Sequence, residues 1–217
     1  MNTEQARFNM IEQQIRPWDV LDPAVLDLLA VMHREDFVPP SSRALAFMDT
    51  EVPLPAGQCM LAPRVEARLL QALKVQRHER VLEVGAGSGF MAALLAHKAQ
   101  SVVSLEIHPV LVRMATANLQ RAGIVNVSVR EGDGAKGLAG EGPFDAIVLS
   151  GSVAQVPQAL LDQLKVGGRL VAIEGEEPVM RALRITRVDA HTLQRDELFD
   201  TVAPRLQGFG EPTHFHF

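Results

Sequence analysis

A chain of 217 residues is long enough to enclose a sizeable α/β core. Its composition, 47% hydrophobic and 22% charged, is ordinary for a globular protein, and a formal net charge of -5 argues against a nucleic-acid surface. The lone cysteine, Cys59, excludes an internal disulfide and any multi-cysteine metal site; no apolar run approaches a membrane span and residues 1–16 are too polar for a secretory signal, so a cytoplasmic enzyme without nucleic-acid or membrane partners is expected.

Residues 3–15 read as an amphipathic helix with Phe8, Ile11 and Ile15 at helical spacing, ended by Pro17. Asp22 and Pro23 supply an N-cap and first-turn signal for a helix running to Met32. Between residues 33 and 63 periodicity is lost and prolines recur (Pro39, Pro40, Pro53, Pro55, Pro63). Such a long irregular stretch in a compact chain is read as a functional cover. A helix over residues 64–73 follows.

Val81-Leu82-Glu83-Val84 then runs into Gly85-Ala86-Gly87-Ser88-Gly89 and a helical pattern from Phe90 to His97, the order of a buried strand, a tight turn and a helix. The glycines let the backbone approach a ligand, and the helix start favours an anionic or hydrogen-bond-accepting group. A phosphate-binding loop needs Lys and Ser or Thr after its last glycine, where Phe90 and Met91 stand. A dinucleotide fingerprint needs a small residue at position 90. A G-x-G-x-G turn with Glu83 before it fits S-adenosyl-L-methionine better, the alternative being a glycine turn that serves only the fold.

Residues 101–106 form a second strand ending in Glu106, whose carboxylate offers two acceptors to a ribose diol or, alternatively, is a solvated strand end. A helix from Pro109 to Ala122 stops at Gly123. A third strand over residues 125–130 leads to Gly132-Asp133-Gly134, where Asp133 is either a turn residue or a contact for an adenine amino group. A fourth strand covers residues 144–149, and residues 150–154 read as a small-residue loop at its ligand-binding end. Residues 156–164 read as a helix, 169–174 as a fifth strand, and 180–188 and 192–202 as two further strands joined by a polar turn at Asp189 and Ala190. The alternation predicts a parallel sheet with an antiparallel edge. One domain over residues 1–217 is expected, with 1–63 as helices and covering loop and 64–217 as the core.

These pieces together resemble the protein-L-isoaspartate O-methyltransferases. His33-Arg34-Glu35-Asp36-Phe37-Val38-Pro39 is similar to that family's Pro-Arg-Glu-x-Phe-Val-Pro, and Leu54-Pro55 with Gly57-Gln58 to its Leu-Pro…Gly-Gln loop. Val81 to Gly89, Glu106, Gly132-Asp133-Gly134 and Pro143-Phe144-Asp145-Ala146-Ile147-Val148 follow in the family's order, and Val202-Ala203-Pro204-Arg205-Leu206 stands where the family has a Phe-Val-Pro-Leu tail lining the substrate site. The resemblance implies a Rossmann-like S-adenosyl-L-methionine-dependent methyltransferase fold: a mostly parallel twisted sheet, helices on both faces, an antiparallel edge and an N-terminal helical cover. It also implies a cofactor site made by Gln58, Met60, Glu83, Gly85, Ala86, Gly87, Ser88, Gly89, Glu106, Ile107, Gly132, Asp133, Gly134 and Ser150. The substrate side would comprise Ser150, Ser152, Pro204 and Leu206, with no metal.

The resemblance breaks at one place. The family loop reads Gly-Gln-Thr-Ile-Ser-x-Pro, its Ser holding the substrate carboxylate; in Gly57-Gln58-Cys59-Met60-Leu61-Ala62-Pro63, Cys59 stands at the Thr and Leu61 at the Ser. Leucine donates no hydrogen bond and a thiol only a weak one. Three readings follow: carboxyl methylation of isoaspartyl residues in proteins or peptides, weakened by Leu61; methylation of another acceptor, such as a small molecule; or a non-catalytic cofactor-binding module. A carboxylate acceptor, with pKa ~4, is already ionised at neutral pH. Alignment in a partly desolvated pocket is therefore the expected source of rate, and no histidine–carboxylate pair is required. Cys59 reads as an inert thiol, Trp18 as packing for the N-terminal helices, and His214 and His216 as either a metal pair or a packed tail.

Overall fold

The computed structural model describes residues 2–211; His214 and His216 lie outside them. In chain order the elements are α1 (Thr3–Met10), α2 (Pro23–Val31), β1 (Val52–Pro53), β2 (Cys59–Met60), α3 (Pro63–Leu73), β3 (Arg80–Val84) and α4 (Phe90–Lys98). Next come β4 (Ser101–Glu106), α5 (Pro109–Arg121), β5 (Val127–Glu131), β6 (Phe144–Val153), α6 (Gln158–Leu161), β7 (Leu164–Glu176), β8 (Val179–Arg187) and β9 (Leu193–Thr201). Seven strands form one sheet in the order β5-β4-β3-β6-β7-β8-β9. The pairs from β5 through β7 are parallel, and β7-β8-β9 is an antiparallel meander at one edge. The strand order reverses between β3 and β6, and a parallel sheet opens a crevice at the carboxyl ends of its strands at such a reversal.

Side-chain alternation on the central strands divides the core. Val81, Val102, Ala146, Val148, Val171 and Ile173 face the layer of α3, α4 and the N-terminal helices. Leu82, Val84, Val103, Leu105, Ile147, Leu149, Leu170 and Ala172 face the layer that holds Leu160, Leu161 and Phe209. A strand buried on both faces has no polar side, so its sequence reads as an apolar run, as in β3 and β6. Glu83 is the exception, a carboxylate on the α3/α4 side of β3.

Three elements differ from their sequence reading. The first helix is α-helical only to Met10 and continues as a π-helical turn, Ile11–Ile15, and a 3-10 turn, Arg16–Trp18. The buried stripe of α1 carries Arg7 and Met10, while Phe8 is 57% exposed. Residues 150–153 extend β6 instead of forming a loop, with a register shift between Val148 and Ser152 that re-aims the strand. The helix expected over 156–164 is a single turn, because Leu164 already pairs with Phe144 as the start of β7.

The N-terminal helices are tied to the body by cations and rings. Arg68 of α3 donates to the carbonyls of Trp18 (2.9 Å) and Leu198 (3.2 Å) and lies over the Phe199 ring at 4.4 Å. Trp18 meets Phe199 edge-on and carries the Arg64 guanidinium 3.9 Å above its ring. Guanidinium groups suit this work because they stack and donate at once. Trp18 is thus packing material, as its sequence context suggests. Among the described residues no helix is long and apolar enough to cross a membrane.

At the base of the sheet, Arg169 of β7 forms a bidentate pair with Glu79 (2.5 and 2.7 Å) and donates to the carbonyls of Leu73 and Asp145. Both side chains are almost enclosed. Removing one partner of such a pair strands the other charge, at a cost of about 3–5 kcal/mol. Glu79→Ala should therefore lower the melting temperature by roughly 6–20 °C for a chain of this size. Glu197→Ala, which deletes a solvent-exposed partner of Arg181, should leave melting nearly unchanged. Equal shifts in the two variants would contradict this ranking.

Candidate active site

The glycine turn lies at the β3/β6 reversal, and its geometry follows from its neighbours. Gly85, Gly87 and Gly89 have φ of +93°, +53° and +86°, a region that side chains rarely enter. At Gly85 a Cβ would also sit 2.7 Å from the Leu206 side chain, so the C-terminal segment rests directly on the turn. At Gly87 a Cβ would meet Leu54 at 3.3 Å, which brings the covering loop to the opposite side.

The turn's N–H groups are mostly committed internally. Gly85 and Ala86 donate to the Leu105 carbonyl (2.8 and 3.2 Å), and Gly89 to that of Ala86 (2.7 Å). Gly87 N–H goes to Glu106 Oε2 at 2.9 Å. These are the N–H groups of the turn itself; those at the start of α4, which the sequence reading offers to a hydrogen-bond acceptor, are separate from them. The cleft also presents a carboxylate. Glu106 takes the N–H of His108 on its other oxygen (3.0 Å) and is buried, yet each oxygen keeps a second lone pair for a hydroxyl.

The cleft is lined by Gln58 and Cys59 of the cover, Gly85 and Gly87, Leu105, Glu106, Ile107 and Leu111, Gly132 and Gly134, Ser150, and Leu206 and Gln207. Its empty volume is about 460 Å³. Directly behind it, Met60, Leu61, Glu66, Glu83, Ser88, Phe90 and Met91 enclose a smaller space shared with Cys59, Gly85, Ala86, Gly87 and Ser150. Glu83 is fully enclosed and accepts from Ser104 Oγ at 2.5 Å and Ser150 Oγ at 2.9 Å. Burial pushes its carboxyl up to about 8, against the opposing hydroxyl bonds.

Other expected site residues lie differently. Asp133 is exposed at the rim, its Oδ1 accepting from Ala135 N–H at 2.9 Å and packed closely under Gly208, so one oxygen caps the turn while Oδ2 carries no bond of its own to that turn. Ser152 is fully buried and donates to the Ala203 carbonyl at 2.7 Å, which removes its hydroxyl from the cleft. Its backbone works instead: Ser152 N–H donates to Pro204 O (2.8 Å) and Leu206 N–H to Ser152 O (2.9 Å), laying the 203–206 segment along β6. Leu61 is 5% exposed and belongs to the core. The half-buried Cys59 thiol approaches Glu51 at 3.6 Å, and burial followed by that carboxylate pushes it up to about 12, so it is an inert thiol at neutral pH. No group of three or more potential metal ligands occurs among the described residues.

Two residues that sequence reasoning passed over organise the site from behind. Arg34 is 1% exposed; it pairs with Glu66, donates to the carbonyls of Ala46 (3.1 Å) and Leu61 (2.8 Å), and lies 4.9 Å from the Phe90 ring centre. Asn118 on α5 reaches the Ser88 carbonyl. Arg34 was visible as the one cation in the Arg34-Glu35-Asp36-Phe37 segment; nothing in the sequence singles out Asn118 within its helix.

Comparison with known proteins bears on the same segments. Residues 5–200 match the family model for "Protein-L-isoaspartate(D-aspartate) O-methyltransferase (PCMT)". The chain belongs to this family. A protein-L-isoaspartate O-methyltransferase of Koribacter versatilis is 40% identical over 194 residues, 89% of this chain and 87% of the relative. One from Methylorubrum populi is 39% identical over 209 residues, 96% and 98% of the two chains. Among solved structures, a Plasmodium falciparum chain described as a protein-L-isoaspartate O-methyltransferase, in complex with S-adenosyl-L-homocysteine, superposes with a TM-score of 0.81 at 23% identity, covering 95% of this chain and 99% of its own. That likeness shows the fold, with the N-terminal cover included.

The Glu83 carboxyl gives the site a pH signature. A proton held more tightly in the folded chain than in the unfolded one stabilises the fold below the unfolded pKa of about 4.3, and that contribution is lost as pH rises toward about 8. Glu83→Gln removes it. Denaturant titrations between pH 5 and 8 should show stability falling more steeply with pH in the natural chain than in Glu83→Gln; parallel profiles would mean that Glu83 is ionised throughout.

Proposed function

We propose that this chain transfers the methyl group of S-adenosyl-L-methionine to the side-chain carboxylate of isoaspartyl residues in damaged proteins, acting in the cytoplasm as one functional unit with residues 1–63 as its cover. The observation that carries the reading is the convergence of the family's segments on one cleft: the covering loop, the glycine turn, the Glu106 strand end and the 203–206 tail all line it or pack on it.

The residues present fit the cofactor. No Lys or Arg lines the cleft among the described residues, which disfavours phosphate-bearing ligands, while the Glu106 carboxylate suits a cationic ligand with hydroxyls. Glu106 would hold the ribose diol on its free lone pairs, Ile107 and Leu111 would flank the adenine, and Gln58 with the Gly85–Gly89 turn would hold the amino acid end. When bound, the sulfonium supplies an electrophilic methyl group. The chain's own task is to bind and align an acceptor already ionised at neutral pH and to exclude water from it, because no proton has to be removed. Leu206, resting on Gly85, and Pro204 would form the wall against which the peptide lies. Leu61 leaves the acceptor carboxylate without the hydroxyl that the family loop provides.

Transfer of labelled methyl to an isoaspartyl peptide, with the aspartyl isomer as control, should give a base-labile ester only on the former; no transfer to either would overturn the reading. Glu106→Ala should weaken S-adenosyl-L-homocysteine binding roughly ten- to a hundredfold by calorimetry, the loss of charge-assisted bonds worth ~1.5–3 kcal/mol. Unchanged affinity would remove Glu106 from the site. Leu61→Ser should raise kcat/KM on the isoaspartyl peptide by roughly tenfold through one restored hydrogen bond, while a smaller buried side chain lowers the melting temperature. Identical kinetics would place the acceptor carboxylate away from position 61.

A further inference from the structure

The glycine turn is anchored from two sides, and only one belongs to the strand edge. On that side Glu106 holds Gly87 N–H. On the other, α5 lies flush against the turn, so that a Cβ at Gly89 would come within 3.2 Å of Ala115. One helical turn further, Asn118 is 5% exposed and points its amide at the turn. Its Nδ2 donates to the Ser88 carbonyl at 2.8 Å and to the Phe37 carbonyl of the cover at 3.5 Å. Its Oδ1 accepts from Arg121, which also reaches the Asp36 carbonyl at 3.2 Å.

The peptide joining Ser88 to Gly89 is where this matters. A glycine takes either sign of φ at little cost, so the plane of the preceding peptide rotates freely unless both its ends are held. Here the N–H is held by the Ala86 carbonyl at 2.7 Å and the C=O by Asn118. We propose that Asn118 is a positioning residue for the cofactor: it locks the Ser88–Gly89 peptide, and with it the turn, to the 36–37 segment of the cover. The inference rests on the methyltransferase reading above. It requires a neutral amide, since both Ser88 and Phe37 present carbonyl oxygens while Arg121 alone would accept a carboxylate.

Asn118→Asp keeps the size and the Arg121 contact but sets a carboxylate against two carbonyls. It should raise the dissociation constant of S-adenosyl-L-homocysteine and the KM for S-adenosyl-L-methionine by roughly tenfold or more, with kcat at saturating cofactor within about twofold, the loss expected for one buried hydrogen bond replaced by a repulsion. Asn118→Ala, which adds no charge, carries the same expectation if the aspartate variant fails to fold. Asn126→Asp is the comparator: its amide caps the Ala96 and Ala99 carbonyls at the far end of α4, so it should lower melting without moving the cofactor KM. If the Asn118 variants melt early but bind the cofactor and its product as the natural chain does, the residue is structural and the inference is overturned. Failure of the natural chain itself to bind S-adenosyl-L-homocysteine would instead bring down the functional reading.

Discussion

The buried guanidinium of Arg34 is the constraint on which the arrangement around the cleft depends. Enclosing a full charge is costly unless its donors and its counter-charge are all supplied. Here they come from four places in the chain: the Ala46 carbonyl from the cover, the Leu61 carbonyl from the loop before α3, the Glu66 carboxylate from α3 and the Phe90 ring from α4. Each of those elements is therefore fixed relative to the others by one planar group. The loop from Gln58 to Ala62 is placed through a backbone carbonyl as well as through the buried Met60 and Leu61 side chains. A family member can then carry leucine at position 61 and keep the loop where it is, changing the chemistry of the acceptor side without changing its frame.

The same separation of frame from chemistry holds at the glycine turn. Its N–H groups are spent on Leu105, Glu106 and Ala86, so the turn's shape is stored in the framework before any ligand arrives. The carboxylate that lines the cleft is that of Glu106, with the Glu83 carboxyl enclosed behind it between two hydroxyls. A glycine-rich strand–turn–helix is compatible with phosphate or with a cation; at this one a lining with Glu106 and, among the described residues, no Lys or Arg favours the cation. Preorganisation of this kind lowers the ordering cost of binding.

Much of this was legible in the sequence because it rests on local signals. The β3–turn–α4 unit, the second strand ending at Glu106, the Asp22 cap and the antiparallel edge follow from periodicity, glycine placement and capping chemistry, and the strand and helix limits there lie within one or two residues of expectation. The misreadings share a cause, which is that tertiary partners overrode local preference. Residues 150–153 are small and look like a loop, yet the 203–206 segment pairs with them and completes a strand. Leu164 continues a helical pattern but is claimed by Phe144 across the sheet. Ser152 carries a hydroxyl at the right depth and points it into the chain.

The cleft is closed by two segments from opposite ends of the sequence. Leu54 packs on Gly87 from the cover, and Leu206 packs on Gly85 and Gly151 from the tail, each where any side chain on the glycine would clash with it or crowd it. The cover is pinned by the short β1–β2 pairing beside Leu54 and by Arg34, and the tail by two backbone hydrogen bonds to Ser152 and by Arg205 reaching the Gly175 carbonyl at 2.9 Å. The tail has a buried anchor too: the enclosed Ser152 hydroxyl donates to the Ala203 carbonyl at 2.7 Å, and Ala203 belongs to the core. Both walls are therefore anchored in the interior, the tail through backbone and hydroxyl bonds and the cover through an enclosed ion pair. A cleft held on both sides in this way is shaped before its ligands arrive, which lowers the ordering cost of binding a small cofactor and a polypeptide together.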